Sequence, residues 1–266
     1  MTSSLLNPKG RGTVSRIGNR FEAHRVVEDG DLLQDLMDSD PDFVPVRPET
    51  QIIPDDSQSI ITENRSPDLG FNFSLNPYRG CEHGCSYCYA RPYHEYLGYD
   101  SGLDFETKLM VKKEAPHLLE HTLAKPSWSP AVLACSGVTD CYQPIERDLQ
   151  ITRECLEVLA NFRNPVGIIT KNALVTRDID ILQRLAHYQA VSVTLSLTSL
   201  DTELAGKLEP RASRPASRLK AIRTLRDAGI PVGISLAPVI PGLNDHEIPA
   251  ILQAARESGA EYASYS

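Results

Sequence analysis

The run Gly80-Cys81-Glu82-His83-Gly84-Cys85-Ser86-Tyr87-Cys88-Tyr89 sets three cysteines at Cys-x3-Cys-x2-Cys spacing, with a glycine just before the first two. Thiolates this close together are soft ligands, suited to an iron–sulfur cluster or another thiophilic metal. Three local thiolates can hold three irons of a four-iron cube and leave the fourth open. An open position belongs to catalytic metal sites, whereas structural sites are closed. Gly80 and Gly84 let the backbone fold close to an inorganic ligand without a Cβ clash. The rival reading is a zinc site completed by His83 or by a distant ligand. Structural zinc normally uses paired Cys-x2–4-Cys knuckles, and this chain has no second knuckle.

Other groups able to do chemistry lie further along. Ala134-Cys135-Ser136-Gly137-Val138-Thr139-Asp140-Cys141-Tyr142-Gln143-Pro144 carries hydroxyls and a carboxylate, which are the acceptors an ammonium or amine needs. Asp140 equally reads as a helix N-cap. Cys155 falls on an apolar helical face and reads as a packed small hydrophobe. Tyr89, Tyr93, Tyr96 and Tyr99 bunch after the cysteines and either stack a flat substrate or pack the first crossover. Arg211, Arg214, Arg218, Lys220, Arg223 and Arg226 alternate with Leu219, Ile222 and Leu225. Most of that basic cluster reads as the wet face of an amphipathic helix, with phosphate binding as the alternative.

The elements that must position these groups alternate between strand and helix. Strands are expected at Phe71–Tyr78, Ala131–Gly137, Val166–Thr170, Val191–Leu197 and Val232–Ala237. Helices are expected at Ala115–Lys125, from about Asp148 to Phe162, near Asp178–His187 and at Arg214–Ala228, the last stopped by Gly229. Asn244 or Asp245 caps a further helix running to about Ser258, with Pro249 in its first turn. Such βα repeats imply parallel strands joined by right-handed crossovers, and apolar strands covered on both faces. The cysteine run then follows the first strand, at the carboxyl-end face where catalytic groups gather in this architecture. Tyr262–Ser266 begins a sixth strand as the sequence stops, so a fragment of a longer chain is expected. The fold class is α/β, an open partial (β/α)6 TIM-like barrel over residues 71–266. Residues 1–70 form an irregular N-terminal extension, flexible or wrapped over the domain, with only Asp31–Met37 able to form a helical turn or two. Its basic piece, Lys9 to Arg20, reads as a solvated tail or a phosphate contact.

Composition limits the function. Of the 266 residues, 41% are hydrophobic and 23% charged, ordinary values for a packed globular core. No apolar run approaches the roughly 20 residues that span a bilayer, and the polar N-terminus does not read as a secretory signal. A cytoplasmic setting is expected, where six cysteines argue for reduced thiols and metal binding. The net charge of −8 gives no global electrostatic reason for tight nucleic-acid binding.

The Cys-x3-Cys-x-aromatic-Cys run after a first strand resembles the signature of radical S-adenosylmethionine (SAM) enzymes. The resemblance implies a [4Fe-4S] cluster on Cys81, Cys85 and Cys88, with S-adenosylmethionine chelating the open iron. Reductive cleavage of its sulfonium then gives a 5′-deoxyadenosyl radical, with the electron coming from an external reductant such as flavodoxin or ferredoxin. It also implies Tyr87 near the adenine, and Ser136, Thr139 and Asp140 at the amino group. The later order is similar to that of the spore photoproduct lyase-like branch. It implies Lys171 and Arg211 near the carboxylate with Glu209 beside them, Ser196 at the ribose, and the Ala237 backbone at the adenine edge. By the same resemblance Cys135 or Cys141 is a hydrogen-atom donor, with an inert buried thiol as the alternative. Tyr142-Gln143-Pro144 departs from the lyase pattern, which leaves open whether the substrate is a nucleobase, a nucleic acid or something else. A non-enzymatic iron–sulfur or zinc protein is the competing class.

Overall fold

Short apolar runs punctuated by glycine and proline become the strands, and longer runs with a 3.6-residue period become the helices. The computed structural model describes residues 10–13, 18–21, 49–65, 70–135 and 137–266. In chain order the elements are β1 (Gln51–Pro54), β2 (Ile61–Glu63), β3 (Phe73–Leu75), β4 (Tyr78–Arg79), α1 (Leu103–Thr107), β5 (Lys108–Val111) and α2 (Ala115–Leu123). They continue with β6 (Leu133–Cys135), α3 (Glu146–Leu149), α4 (Ile151–Phe162), β7 (Val166–Thr170), α5 (Ile179–His187) and β8 (Val191–Ser196). The last are α6 (Thr202–Leu208), α7 (Pro215–Asp227), β9 (Val232–Leu236), α8 (Ile248–Ser258) and β10 (Tyr262–Tyr265).

The main sheet runs β10-β9-β8-β7-β6-β3-β2, with β2 antiparallel to β3 and every other pair parallel. Six parallel strands in an open sheet are the expected partial (β/α)6 arrangement. Period 2 divides each strand between two faces. Val166 and Ile168, Val193 and Leu195, and Val232 and Ile234 are buried against helices that contribute Leu156, Leu159, Leu182, Leu185, Ile222 and Leu225. Each such side chain contributes about 1.5–3 kcal/mol through burial. The opposite face is small and more polar. Ser192, Thr194 and Ser235 are half-buried there and Ile169 is 39% exposed. The expectation that both faces are covered therefore fails for this face, which is only partly covered.

Several boundaries also differ from the sequence reading. The expected first strand divides at Asn76-Pro77: β3 stays in the main sheet, while β4 joins a second sheet ordered β1-β5-β4. Proline has no N–H for a ladder, and Asn76 Oδ1 instead accepts from the N–H groups of Gly137 (2.8 Å) and Val138 (3.2 Å), ending β6 early. The helix expected from Asp148 breaks at Gln150, whose φ is 55°. Glu146 of α3 then caps α4, accepting from Thr152 N at 3.0 Å and Arg153 N at 3.3 Å. Asn244 and Asp245 accept from Ile240 N and Gly242 N and do not cap α8. Within residues 1–70, β1 and β2 pair with the sheets; Asp31–Met37 lies outside the described residues.

Candidate active site

The cysteine loop leaves β4 through Gly80, at φ 81°, and turns again at Gly84, at φ 66°. A Cβ at Gly80 would come within 2.9 Å of Phe105 O, so the backbone approach there requires glycine. Cys81 N donates to that same carbonyl at 2.9 Å. The loop is braced from the β6 side by Thr139 and Gln143. Thr139 Oγ1 donates to Gly80 O at 2.6 Å, and Gln143 Nε2 donates to Gly80 O at 3.3 Å. Gln143 Oε1 accepts from Glu82 N at 2.8 Å, and Gln143 is fully buried. On the other side Arg91 donates twice to Cys85 O, at 3.0 and 2.8 Å, while pairing with buried Glu106 at 2.5 Å.

At the end of β7, Asp140 gathers the strand ends. It accepts from Thr170 Oγ1 (2.7 Å), Lys171 N (2.8 Å) and Tyr142 N (2.9 Å). His83 Nδ1 lies 3.2 Å from Asp140 Oδ2. Burial pushes the Asp140 carboxyl up, but His83, Lys171 N and Thr170 outweigh it and hold its pKa at about 2. Asp140 thus ties the cysteine loop to β7; it is not the helix N-cap of the alternative reading. Thr139, turned to Gly80 O, is likewise a brace.

A second network closes the site from β8 and α7. The Tyr87 hydroxyl donates to Glu209, and Thr198 Oγ1 donates to Glu209 Oε1 at 2.7 Å. Glu209 forms a fully buried ion pair with Arg218, which also donates to Ser196 O at 2.8 Å. Burial pushes the Glu209 carboxyl up, and Arg218 and then Lys171 pull it below its ordinary range. Lys171 Nζ stands 5.7 Å from the Tyr87 ring centroid. Burial lowers the Lys171 pKa, but Cys85, Glu209 and Asp140 raise it overall, so its ammonium stays charged. Arg211 pairs with Glu82 at 3.1 Å and donates its backbone N–H to His83 O at 3.2 Å. Ser196 is buried at the end of β8, and Ala237 O, just past β9, accepts from Thr198 Oγ1 at 3.5 Å.

None of the six cysteines is in a disulfide. Burial pushes the Cys81 thiol well above its ordinary value and the Cys85 thiol to about 12. Neither ionises unaided near neutral pH, and a bound metal group is the kind of partner that stabilises buried thiolates. The donor set of three thiols on a glycine-hinged loop fits an iron–sulfur cluster. His83, the candidate zinc ligand, directs Nδ1 at Asp140. Cys135 and Cys141 are wholly buried in the main core, and Cys141 Sγ donates to Cys135 O at 3.8 Å. Cys155 is also fully buried there. Ser136 lies outside the described residues.

Sequence reasoning missed Gln143, Arg91, Glu106, Thr198 and Arg218. Gln143 left a trace as a departure from the lyase pattern, and Arg218 through its spacing to Ile222 and Leu225, which puts it on the buried face of α7. Tyr89, Tyr93 and Tyr96 are 73%, 53% and 67% exposed, so they do not pack the first crossover.

The profile described as Radical SAM superfamily matches residues 75–255, well over half of the chain. The chain belongs to the radical SAM superfamily. Members of this superfamily use a [4Fe-4S] cluster and S-adenosylmethionine. The chain is 38% identical over 177 residues to the uncharacterized protein Rv2578c of Mycobacterium tuberculosis, covering 66% of this chain and 52% of that protein. It is 28% identical over 173 residues to the Radical SAM Nalpha-GlyT isomerase of Pseudomonas phage M6, covering 64% of this chain and 34% of the isomerase. The chain thus spans about half the length of the mycobacterial relative. Its fold is similar to spore photoproduct lyase complexed with dinucleoside spore photoproduct, with TM-score 0.59 and 16% identity over 80% of this chain and 60% of the lyase chain. Among the described residues no helix is long and apolar enough to cross a membrane.

Proposed function

We propose that Cys81, Cys85 and Cys88 hold the [4Fe-4S] cluster and that S-adenosylmethionine lies beside them, making a radical enzyme that abstracts hydrogen from its substrate. When bound, the cluster and its co-substrate supply one-electron cleavage of a sulfonium to a 5′-deoxyadenosyl radical. One observation carries the reading: the three-thiol loop meets Lys171 and the Tyr87–Thr198–Glu209–Arg218 network at the carboxyl ends of the parallel strands. A plain electron carrier or structural zinc protein has no use for such a polar, charged enclosure.

Within it, charged Lys171 and Arg211 are suited to a carboxylate. The Tyr87 ring, fixed through its hydroxyl, offers a half-buried flat surface for an adenine. Ser196 and the Ala237 backbone complete the wall at β8 and β9, and Ser136 is the remaining candidate for the amino group. Thr139 and Asp140 serve this reading as positioning residues of the cysteine loop. Cys135 and Cys141 serve it as core. The electron comes from an external one-electron reductant of the flavodoxin or ferredoxin kind, in a cytoplasmic setting. For the substrate we favour a nucleobase or nucleic acid handled in a lyase-like reaction. The exposed Tyr89, Tyr93 and Tyr96 beside the cysteine loop support this, since aromatic faces stack bases. The test is anaerobic reconstitution, reduction and incubation with S-adenosylmethionine. Formation of 5′-deoxyadenosine by the wild type and its loss in Cys85→Ala are expected; equal yields from the two proteins would refute the assignment.

A further inference from the structure

The N-terminal arm touches the cysteine loop at an unusual spot. Gly12 lies so near Gly84 that a Cβ on it would fall 1.6 Å from Gly84 O and 2.6 Å from Gly84 C. Those are backbone atoms, which cannot swing aside as a side-chain tip does. Gly12 N donates to Glu106 Oε2 at 3.0 Å, and the other oxygen of that carboxylate pairs with Arg91, the residue that grips Cys85 O. The neighbouring Arg11 donates to Glu106 O at 2.8 Å and to Thr50 Oγ1 at 3.1 Å. Thr50 in turn donates to Glu82 Oε1 at 2.7 Å, inside the cysteine loop. A second stretch fastens behind the loop. Buried Asn19 donates to Glu95 O at 3.0 Å and Tyr99 O at 3.3 Å, and Arg20 pairs with Glu95 at 2.8 Å. Arg11 and Arg20 are thus engaged by the protein, Arg20 with its side chain still 52% exposed. Both stretches precede residues 75–255, which the family profile matches.

We propose that Gly10–Thr13 is a strap that holds the cysteine loop in its binding conformation and closes it from solvent. In this reading Gly12 and Arg11 are positioning residues for the cluster ligands. It rests on the assignment of Cys81, Cys85 and Cys88 as those ligands. Any side chain at residue 12 must lift the strap off Gly84, releasing the Glu106 and Thr50 contacts and uncovering Cys81 and Cys85, each now 7% exposed.

The experiment labels the full-length apo protein with iodoacetamide and reads each cysteine by peptide mass spectrometry. In Gly12→Ala, labelling of Cys81 and Cys85 should rise about tenfold or more, as local opening permits, while Cys135, Cys141 and Cys155 stay at their wild-type rates. Arg11→Met, which keeps the glycine, should raise the same two cysteines by a smaller factor. Unchanged rates at Cys81 and Cys85 in both variants would overturn the proposal, as would an equal rise at all six cysteines in both. Iron content of the reconstituted wild type is measured in parallel. A chain that binds no iron removes the cluster assignment, while the labelling result decides the strap independently.

Discussion

Gln143→Leu isolates the brace that distinguishes this site from the lyase pattern. Leucine matches glutamine closely in size, so the fully buried position leaves little cavity. What is lost is polar. Glu82 N gives up its 2.8 Å acceptor in a residue only 4% exposed, and an orphaned buried N–H costs about 1–3 kcal/mol. Gly80 O keeps the Thr139 hydroxyl at 2.6 Å, so its loss is smaller, about 0.5–1 kcal/mol. Together these give roughly 1.5–4 kcal/mol, or about 3–8 °C in Tm for a chain of this size. Because Glu82 directly follows Cys81, the loop can also relieve the orphan by moving, and iron retention should then fall with Tm. Thermal melts by circular dichroism and iron content after anaerobic reconstitution give the two readings. A variant that melts within about 1 °C of wild type and carries its full iron would refute the claim that Gln143 holds the loop.

Two further predictions concern the surroundings of the site. Burial first, and then neighbouring Asp104, raise the Asp100 carboxyl to about 6, with Lys108 on the far side of Asp104. A raised folded-state pKa means the protonated form is favoured in the fold. That stability is fully present below about pH 4 and is lost as pH rises through about 6. Asp100→Asn, which keeps the acceptor for Gly102 N, should gain about 1–2 kcal/mol over wild type at pH 8 and nothing at pH 4. Melts across that range check it, and a gain that does not depend on pH would contradict it. Cys155→Ala should cost about 1–2 kcal/mol through lost packing, and neither it nor Cys135→Ala should change iron content or 5′-deoxyadenosine yield. A selective loss of product in Cys135→Ala at full iron content would return that thiol to the chemistry.

The order of the parallel strands was legible because their apolar runs are separated by helices with clear periodicity, as in α5 with Ile181, Leu182 and Leu185. The helix stop at Gly229 was legible for a local reason, since its φ of 76° suits glycine. The cysteine loop was legible because its three cysteines lie within eight residues of sequence. What escaped is held by long-range contacts. The hydrogen bonds of Asn76 to Gly137 and Val138 span about sixty residues and decide where two strands end. β5 is only four residues long, and its pairing with β1 depends on a segment whose prolines obscure it. Gln143, Arg91 and Glu106 read as ordinary polar residues until the fold folds them onto the loop. The polar face of the sheet was misread because Ile169 and its neighbours look apolar in a run, while their alternation becomes visible only when the open side is known.

The central claim is that the three-cysteine loop presents an iron cluster to S-adenosylmethionine. The most direct test is the electron paramagnetic resonance spectrum of the reduced, reconstituted protein with and without S-adenosylmethionine. A [4Fe-4S] signal whose g values shift when the co-substrate is added, and which is absent in Cys88→Ala, is the predicted result. A cluster signal indifferent to S-adenosylmethionine, or one unchanged in Cys88→Ala, would contradict the account.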